Sequence, residues 1–391
     1  MRTLVALAAL LIGTAPVAGQ QAWTVWTPYQ GPALEVLRQD VADFAELFDV
    51  DVEVEEHDLS EIRRRWLAED DEGPVRVDVV VGVPHDEAVA LAQAGVAADL
   101  RRAATDVYLS DLHPQARAAF TVDGALVGLP MFAEGPALLY DRAQVDGPPA
   151  SYAELVDRAL EVGFAFDAGN FYFAYAWLAT QGGYLFGRDA NGPDAGDVGL
   201  ATDGAVAGAE ALRALAFPHG LIDADTSYAS ATGAFRAGRI AMTYDGPWAV
   251  AGARRAGIDV AVAPMPPLAD GTPWRGFMSV EGVMIDRRWE RSTEVVNLAK
   301  WIARSEALPA YAARAGRVPV SDRAGRDGAV GEIERGFAAA ARAAEPVPTV
   351  PAMGRVWGPM ERALERLLRD PDAEVRDLLE DAVRTIRSVE R

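Results

Sequence analysis

Two spacings of apolar residues take turns along the first hundred positions of the chain. "WTVW" (Trp23 to Trp26) is short and β-prone. From Ala33 to Phe48 the residues Leu34, Leu37, Val41, Phe44, Leu47 and Phe48 recur at helical spacing, and "VDVEVEE" (Val50 to Glu56) then alternates with period two. That order predicts a β-α-β unit. A helix from about Ser60 to Ala68, an apolar strand "VRVDVVVG" (Val75 to Gly82) and a helix from His85 to Ala94 closed by Gly95 extend the pattern. The run predicts an α/β protein with a mostly parallel sheet.

After "GALVGLPMF" (Gly124 to Phe132) the pattern breaks at Gly135 and Pro136. Pro148 and Pro149 mark a turn, and Ser151 with Glu154 three residues on forms a capping box that starts a new helix. A second α/β run continues to "IDVAVAPMPP" (Ile258 to Pro267). Within it, "AFRAGRIAMTYDGPWAV" (Ala234 to Val250) passes from a helix end at Phe235 through Gly238 to an apolar strand, Ile240 to Tyr244. An Asp245-Gly246-Pro247 turn and Trp248 follow. Pro247 fixes its own φ, so the turn ends the strand and holds the indole at its carboxyl end, where open α/β sheets place ligands. Trp177, inside an apolar helical run, is expected in the core. In the tail, Val375, Leu378, Leu379, Ala382, Val383 and Ile386 fall on one helical stripe that must pack against something. The chain shows no internal repeat.

Composition narrows the possibilities. A chain of 391 residues, 50% hydrophobic, can bury a large core, and its length suggests two domains rather than one. The net charge of −21 would repel a phosphate backbone, so nucleic acid is not expected as a partner. Arg2, the apolar run Leu4 to Ile12 and the small residues up to Gly19 form an export signal too short to anchor the chain, with mature protein expected to begin near Gln20. The sequence contains no cysteine. Disulfides and thiolate metal sites are thereby excluded, and no lipid-bearing cysteine follows the signal. The expected location is therefore periplasmic or secreted, without a lipid anchor.

Enzyme motifs are absent. The sequence has no Gly-x-Ser-x-Gly elbow, no Walker loop and no His-Glu-x-x-His, and its four histidines are far apart in sequence. "DANGPDAGDVGL" from Asp189 resembles a calcium loop but puts Pro193, Asp194 and Leu200 where a ligand, the glycine and the bidentate Glu belong. No metal or cofactor is implied. What stands out is aromatic residues beside small and acidic ones: Trp248 after its turn, Trp357 after "VPAMGRV", and Tyr172 and Tyr175 in "GNFYFAYAW". An aromatic ring offers a flat apolar face to the C–H face of a sugar while carboxylates and amides bond its hydroxyls, so the pattern points to carbohydrate.

"DADTSYASATGAFRAGRIAMTYDGPWAV" resembles a segment of periplasmic maltose- and maltodextrin-binding proteins, the extracellular solute-binding components of ABC importers. So do "VDVVVGVPHDEAVALAQAGVAADL", "GALVGLPMFAEGPALLYDR", "FYFAYAWLATQGGYLF" and "VPTVPAMGRVW", collinearly from about Trp23 to the C-terminus. The resemblance implies a two-lobe periplasmic binding protein fold (type II-like) with discontinuous lobes joined by a hinge. Residues 1–19 are then the signal, 20–133 and 278–328 the first lobe, and 134–277 and 329–391 the second. It implies a monomer that captures malto-oligosaccharides between the lobes and hands them to membrane permease subunits. It carries Asp86, Glu87 and Glu134 over as polar sugar contacts and Tyr172, Tyr175, Trp248 and Trp357 as the aromatic set. Tyr29 and Gln30 are further polar candidates. Against the enteric-type proteins, Glu87 replaces a basic residue, Val83 an aromatic, Asn170 a carboxylate and Val250 a tryptophan. Those departures leave trehalose and sucrose as alternative sugars. The alternative function is a secreted carbohydrate-active hydrolase or lyase using Asp86 and Glu134.

Overall fold

The structure, a computed structural model, describes residues 22–67, 77–189, 192–326 and 330–388. The expected signal, Met1 to Gly19, lies outside these residues, as do Val75 and Arg76 of the expected third strand. The strands are β1 (Trp23–Thr27), β2 (Val52–Glu56), β3 (Val79–Pro84), β4 (Thr121–Val122), β5 (Ala125–Leu126), β6 (Leu129–Glu134) and β7 (Ala137–Asp141). They continue as β8 (Phe164–Ala165), β9 (Gly187–Asp189), β10 (Gly192–Asp194), β11 (Met242–Asp245), β12 (Val260–Ala263), β13 (Phe277–Ile285) and β14 (Glu345–Pro346).

Two sheets organise the molecule. The first runs β14-β13-β3-β1-β2, with β6 also on β13, and the second runs β12-β7-β11-β8. β1 is parallel to β2 and β3, as the β-α-β pattern requires. The expectation of a mostly parallel sheet fails elsewhere: β13 runs antiparallel to β3 and β6, and β7 antiparallel to β11 and β12. The reason lies in the connections. β6 passes into β7, in the other sheet, after only Gly135 and Pro136. A strand arriving from another layer needs no crossover helix, so the handedness that makes β-α-β neighbours parallel does not bind it.

Each sheet has its own core. Val25, Leu37, Val80, Phe132, Met284 and Leu298 belong to the first, and Phe164, Trp177, Leu212, Tyr244, Leu364 and Leu379 to the second. A smaller cluster covers the far face of the second sheet. Leu139 and Val262 point into it while their neighbours Leu138 and Ala261 point the other way, as strand alternation dictates. The helix Glu332–Ala341 contributes Phe337 to that smaller cluster, yet β14 then returns to pair with β13. The stretch from Glu332 to Pro346 is therefore shared between the two sheets, where the sequence reading assigned it wholly to the second lobe.

Local predictions fared well where short-range chemistry governs. Glu154 N donates to Ser151 Oγ at 3.2 Å, one half of the predicted capping box, and the Glu154 carboxylate reaches one residue beyond the cap to accept from Ala150 N at 2.7 Å, ahead of the helix Tyr152–Val162. The tail helix Val375–Arg387 buries the predicted stripe on the helix Trp357–Arg369 and the second core.

Candidate functional site

The turn after β11 sets the first wall of the site. Gly246 caps the helix Pro247–Arg255 and Pro247 occupies its first turn, where a missing N–H costs nothing. Trp248 thus sits in the first turn of a helix. Its indole folds back over Gly246, where any side chain would collide with it. Trp248 keeps 43% of its surface exposed, the largest ring so placed among the described residues. Beneath it Asp245 is buried, and burial pushes its carboxyl up to about 7 although Gly246 N, the Trp248 side chain, Arg236 and Tyr228 all favour the anion.

The helix Phe171–Thr180 supplies the second wall. Asn170, found where the resemblance expected a carboxylate, caps this helix by accepting from Tyr172 N at 3.0 Å. Half-buried Tyr172 lies 6.5 Å from Trp248 and 6.1 Å from Phe277, ring centre to ring centre. Half-buried Trp357, at the start of its helix, meets Phe277 edge-on at 6.2 Å and Phe171 at 6.0 Å. Phe277 opens β13 where the chain returns to the first sheet, so one buried ring links two of the aromatic candidates at the crossing. Nothing in the sequence motifs marked it.

Tyr175 is a correction. It is wholly buried, its ring lies 3.8 Å from Phe277 at 10°, and its hydroxyl donates to Glu345. A ring covered on that face and sealed from solvent cannot stack on a ligand. Tyr29 is corrected likewise: it is buried, and its hydroxyl donates to Glu281 at 3.0 Å. Gly82 makes this possible, since a Cβ there would lie 2.5 Å from the Tyr29 ring and the backbone has φ +85°. Gln30 is exposed ahead of the helix Gly31–Phe48. Val83 and Val250 are both core.

The acidic candidates come from the first sheet. Asp86 is exposed in the first turn of the helix His85–Gln93, where the helix dipole favours an anion. That turn is bolted down by buried His85, whose Nδ1 accepts from Val280 N at 3.2 Å and whose Nε2 donates to Val347 O at 2.8 Å. This pair of bonds assigns the neutral tautomer, and burial lowers the imidazole further toward that state. Glu87 is half-buried: one oxygen accepts from Arg63 Nη1 at 3.3 Å, and the other is buried without a hydrogen bond. Glu134 ends β6 and accepts from Arg317. β3, which leads into the Asp86 helix, and β6, which ends in Glu134, flank β13 at Glu281 and Ser279, just past the Phe277 that Tyr172 meets. Burial first raises the Tyr172 phenol, and Glu134, Tyr244, Asp86 and Asp245 add to the shift.

The structure therefore gathers Asp86, Glu134, Tyr172 and Trp248 around the crossings between the sheets, with Trp357 joined through Phe277. Glu87 stands beside this group in an ion pair. Planar apolar faces opposite carboxylates can stack on one side of a polyhydroxylated ring and accept from its hydroxyls. Among the described residues no group of three or more His, Cys, Asp or Glu could hold a metal ion.

Residues 39–332 match the family described as bacterial extracellular solute-binding protein. The chain is 28% identical over 301 residues to a maltotriose-binding protein of Pyrococcus abyssi, covering 73% of this chain and 65% of that protein. It is 25% identical over 258 residues to a maltooligosaccharide ABC transporter solute-binding lipoprotein of Streptococcus pneumoniae, covering 62% of this chain and 60% of that protein. In both cases the match spans less than two thirds of the relative's length. In three dimensions it superposes on a Thermus thermophilus maltotriose binding protein bound with maltotriose with a TM-score of 0.80 and 33% identity, covering 94% of this chain and 99% of that one.

Proposed function

The chain belongs to the bacterial extracellular solute-binding protein family, and from that premise we propose that it captures a malto-oligosaccharide between its two lobes and delivers it to an ABC sugar importer without catalysing any reaction. The observation that carries this is an exposed indole, Trp248, 6.5 Å from the Tyr172 ring, with Asp86 and Glu134 at the ends of the two strands that flank β13 at Glu281 and Ser279, just past the Phe277 that Tyr172 meets. A sugar touching both sides stabilises the closed conformer, because only that conformer makes both sets of contacts. In this reading residues 20–133 and 278–328 belong to one lobe and 134–277 and 329–391 to the other, with the stretch from Glu332 to Pro346 passing between them. The hinge runs through the β6–β7 and β12–β13 crossings. Permease subunits then engage a monomer with closed lobes. The protein is exported, begins near Gln20 and carries no lipid, since the sequence contains no cysteine to bear one. Osmotic-shock release and an intact mass matching that start test the location; a lipidated or uncleaved chain refutes it.

Calorimetric titration of mature protein with maltose, maltotriose, maltotetraose, trehalose and sucrose, followed by product analysis after long incubation, tests the function. Tight binding of the maltose series without product is the expected result. Preference for trehalose or sucrose would move the assignment to that sugar, and released glucose would replace a binding protein with a hydrolase.

A further inference from the structure

Glu134 does not stand alone at its crossing. The helix Leu308–Ala315 ends in a left-handed Gly316, φ +67°, and the chain then lays residues 317–320 along the free edge of β6. Ala133 N donates to Val318 O at 2.8 Å and Val320 N to Met131 O at 3.0 Å, which brings Arg317 beside Glu134. One guanidinium nitrogen, Nη1, donates both to Glu134 Oε1 and, at 2.7 Å, to Glu281 Oε1. The same guanidinium lies 4.6 Å from the centre of the Tyr29 ring, and the Tyr29 hydroxyl donates to that Glu281 oxygen. Tyr29 and Glu281 are buried, whereas the Arg317 and Glu134 side chains keep 21% and 24% of their surface. The cation is thus held from behind by a ring and a buried acid, and Glu134 stands on its exposed side.

We propose that Arg317 is a positioning residue for ligand capture: the Tyr29–Glu281 clamp fixes its guanidinium, which fixes Oε1 of Glu134 and leaves Oε2 for a sugar hydroxyl. The proposal rests on the reading of this cleft as a sugar site. Its physical content is preorganisation. A free glutamate side chain loses rotamer freedom when a ligand binds, and one already held by a bound cation does not.

A double-mutant cycle separates positioning from general support. Maltotriose affinity is measured by calorimetry for the wild type, Arg317→Met, Glu134→Gln and the double variant, with urea unfolding of each. Arg317→Met is expected to weaken binding about tenfold in the wild type and to have almost no further effect in the Glu134→Gln background, since coupled residues are non-additive. Arg317→Lys, which keeps the charge but not the fork, is expected to recover part of the loss. Equal losses in both backgrounds, or wild-type affinity in Arg317→Met, overturn the proposal. Should Arg317→Met fail to fold, Arg317→Lys goes through the same cycle. There a loss confined to the Glu134 background supports positioning, and an additive loss or no loss overturns it. A wild type that binds no sugar of the series defeats the sugar reading itself, whatever the cycle shows.

Discussion

Replacing Trp248 by alanine removes the most exposed ring of the proposed site. A tryptophan presents up to about 250 Å², so the 43% left exposed here corresponds to about 110 Å² of free surface. A sugar stacked on one face hides roughly half of that, which at about 25 cal/mol per Å² is near 1.4 kcal/mol, or about a tenfold rise in Kd. Loss of face-specific contacts widens the expected range to about 1–3 kcal/mol. The fold should suffer far less, because what goes is a ring that is only partly covered. Trp177→Ala is the opposite case. That indole is 1% exposed, stacks on Phe166 at 4.4 Å and donates to the Tyr152 hydroxyl at 2.9 Å, so its loss should cost about 3–5 kcal/mol of stability. Calorimetry gives binding and urea unfolding gives stability for both variants. If Trp248→Ala binds like the wild type but unfolds early, the ring is core and the sugar cannot be placed in this cleft.

Other outcomes are expected. Saturating maltotriose should shrink the radius of gyration in small-angle X-ray scattering, and an unchanged curve with binding confirmed independently would argue against lobe closure. Burial outweighs the pull of Arg317, with the like charge of Glu134 adding to it, and raises Glu281 to about 8. Because carboxyls in the unfolded chain titrate near 4, the folded state holds extra protons on Glu281 and Asp245. Stability should then fall as pH rises from about 5 toward 8, and Glu281→Gln or Asp245→Asn should flatten that fall. Urea unfolding across this range checks it, and stability rising with pH in the wild type, or equal slopes in both variants, contradicts it. Tyr175→Phe removes the donor to Glu345 and leaves Arg275, at 3.2 Å, as its remaining partner. It should cost on the order of 1–2 kcal/mol of stability and leave sugar affinity unchanged, so a large loss of affinity by calorimetry would return Tyr175 to the ligand set.

Local order was legible in the sequence because it depends on neighbours a few residues apart. Helical spacing marked Leu34, Leu37, Val41 and Phe44 correctly as one buried face but also Leu47 and Phe48, which the end of that helix leaves exposed. Ser151 with Glu154 specified a helix start, and Asp-Gly-Pro-Trp specified a strand end with an indole beyond it. Collinear motifs extended this to the two-lobe class, which superposition bears out. What only the tertiary structure decided is what covers what. Tyr172 and Tyr175, three residues apart on one helix, project to nearly the same side, and periodicity could not separate them. Phe277 and Glu345, more than a hundred positions further on, cover Tyr175 and leave Tyr172 half open. Strand direction escaped prediction for a related reason: β13 enters its sheet from the other layer, and no local rule fixes its sense. The Arg317 link to Glu134 spans 183 positions. Charge pairing depends on distance in space, and only the packing of residues 317–320 along β6 brings that cation to that acid.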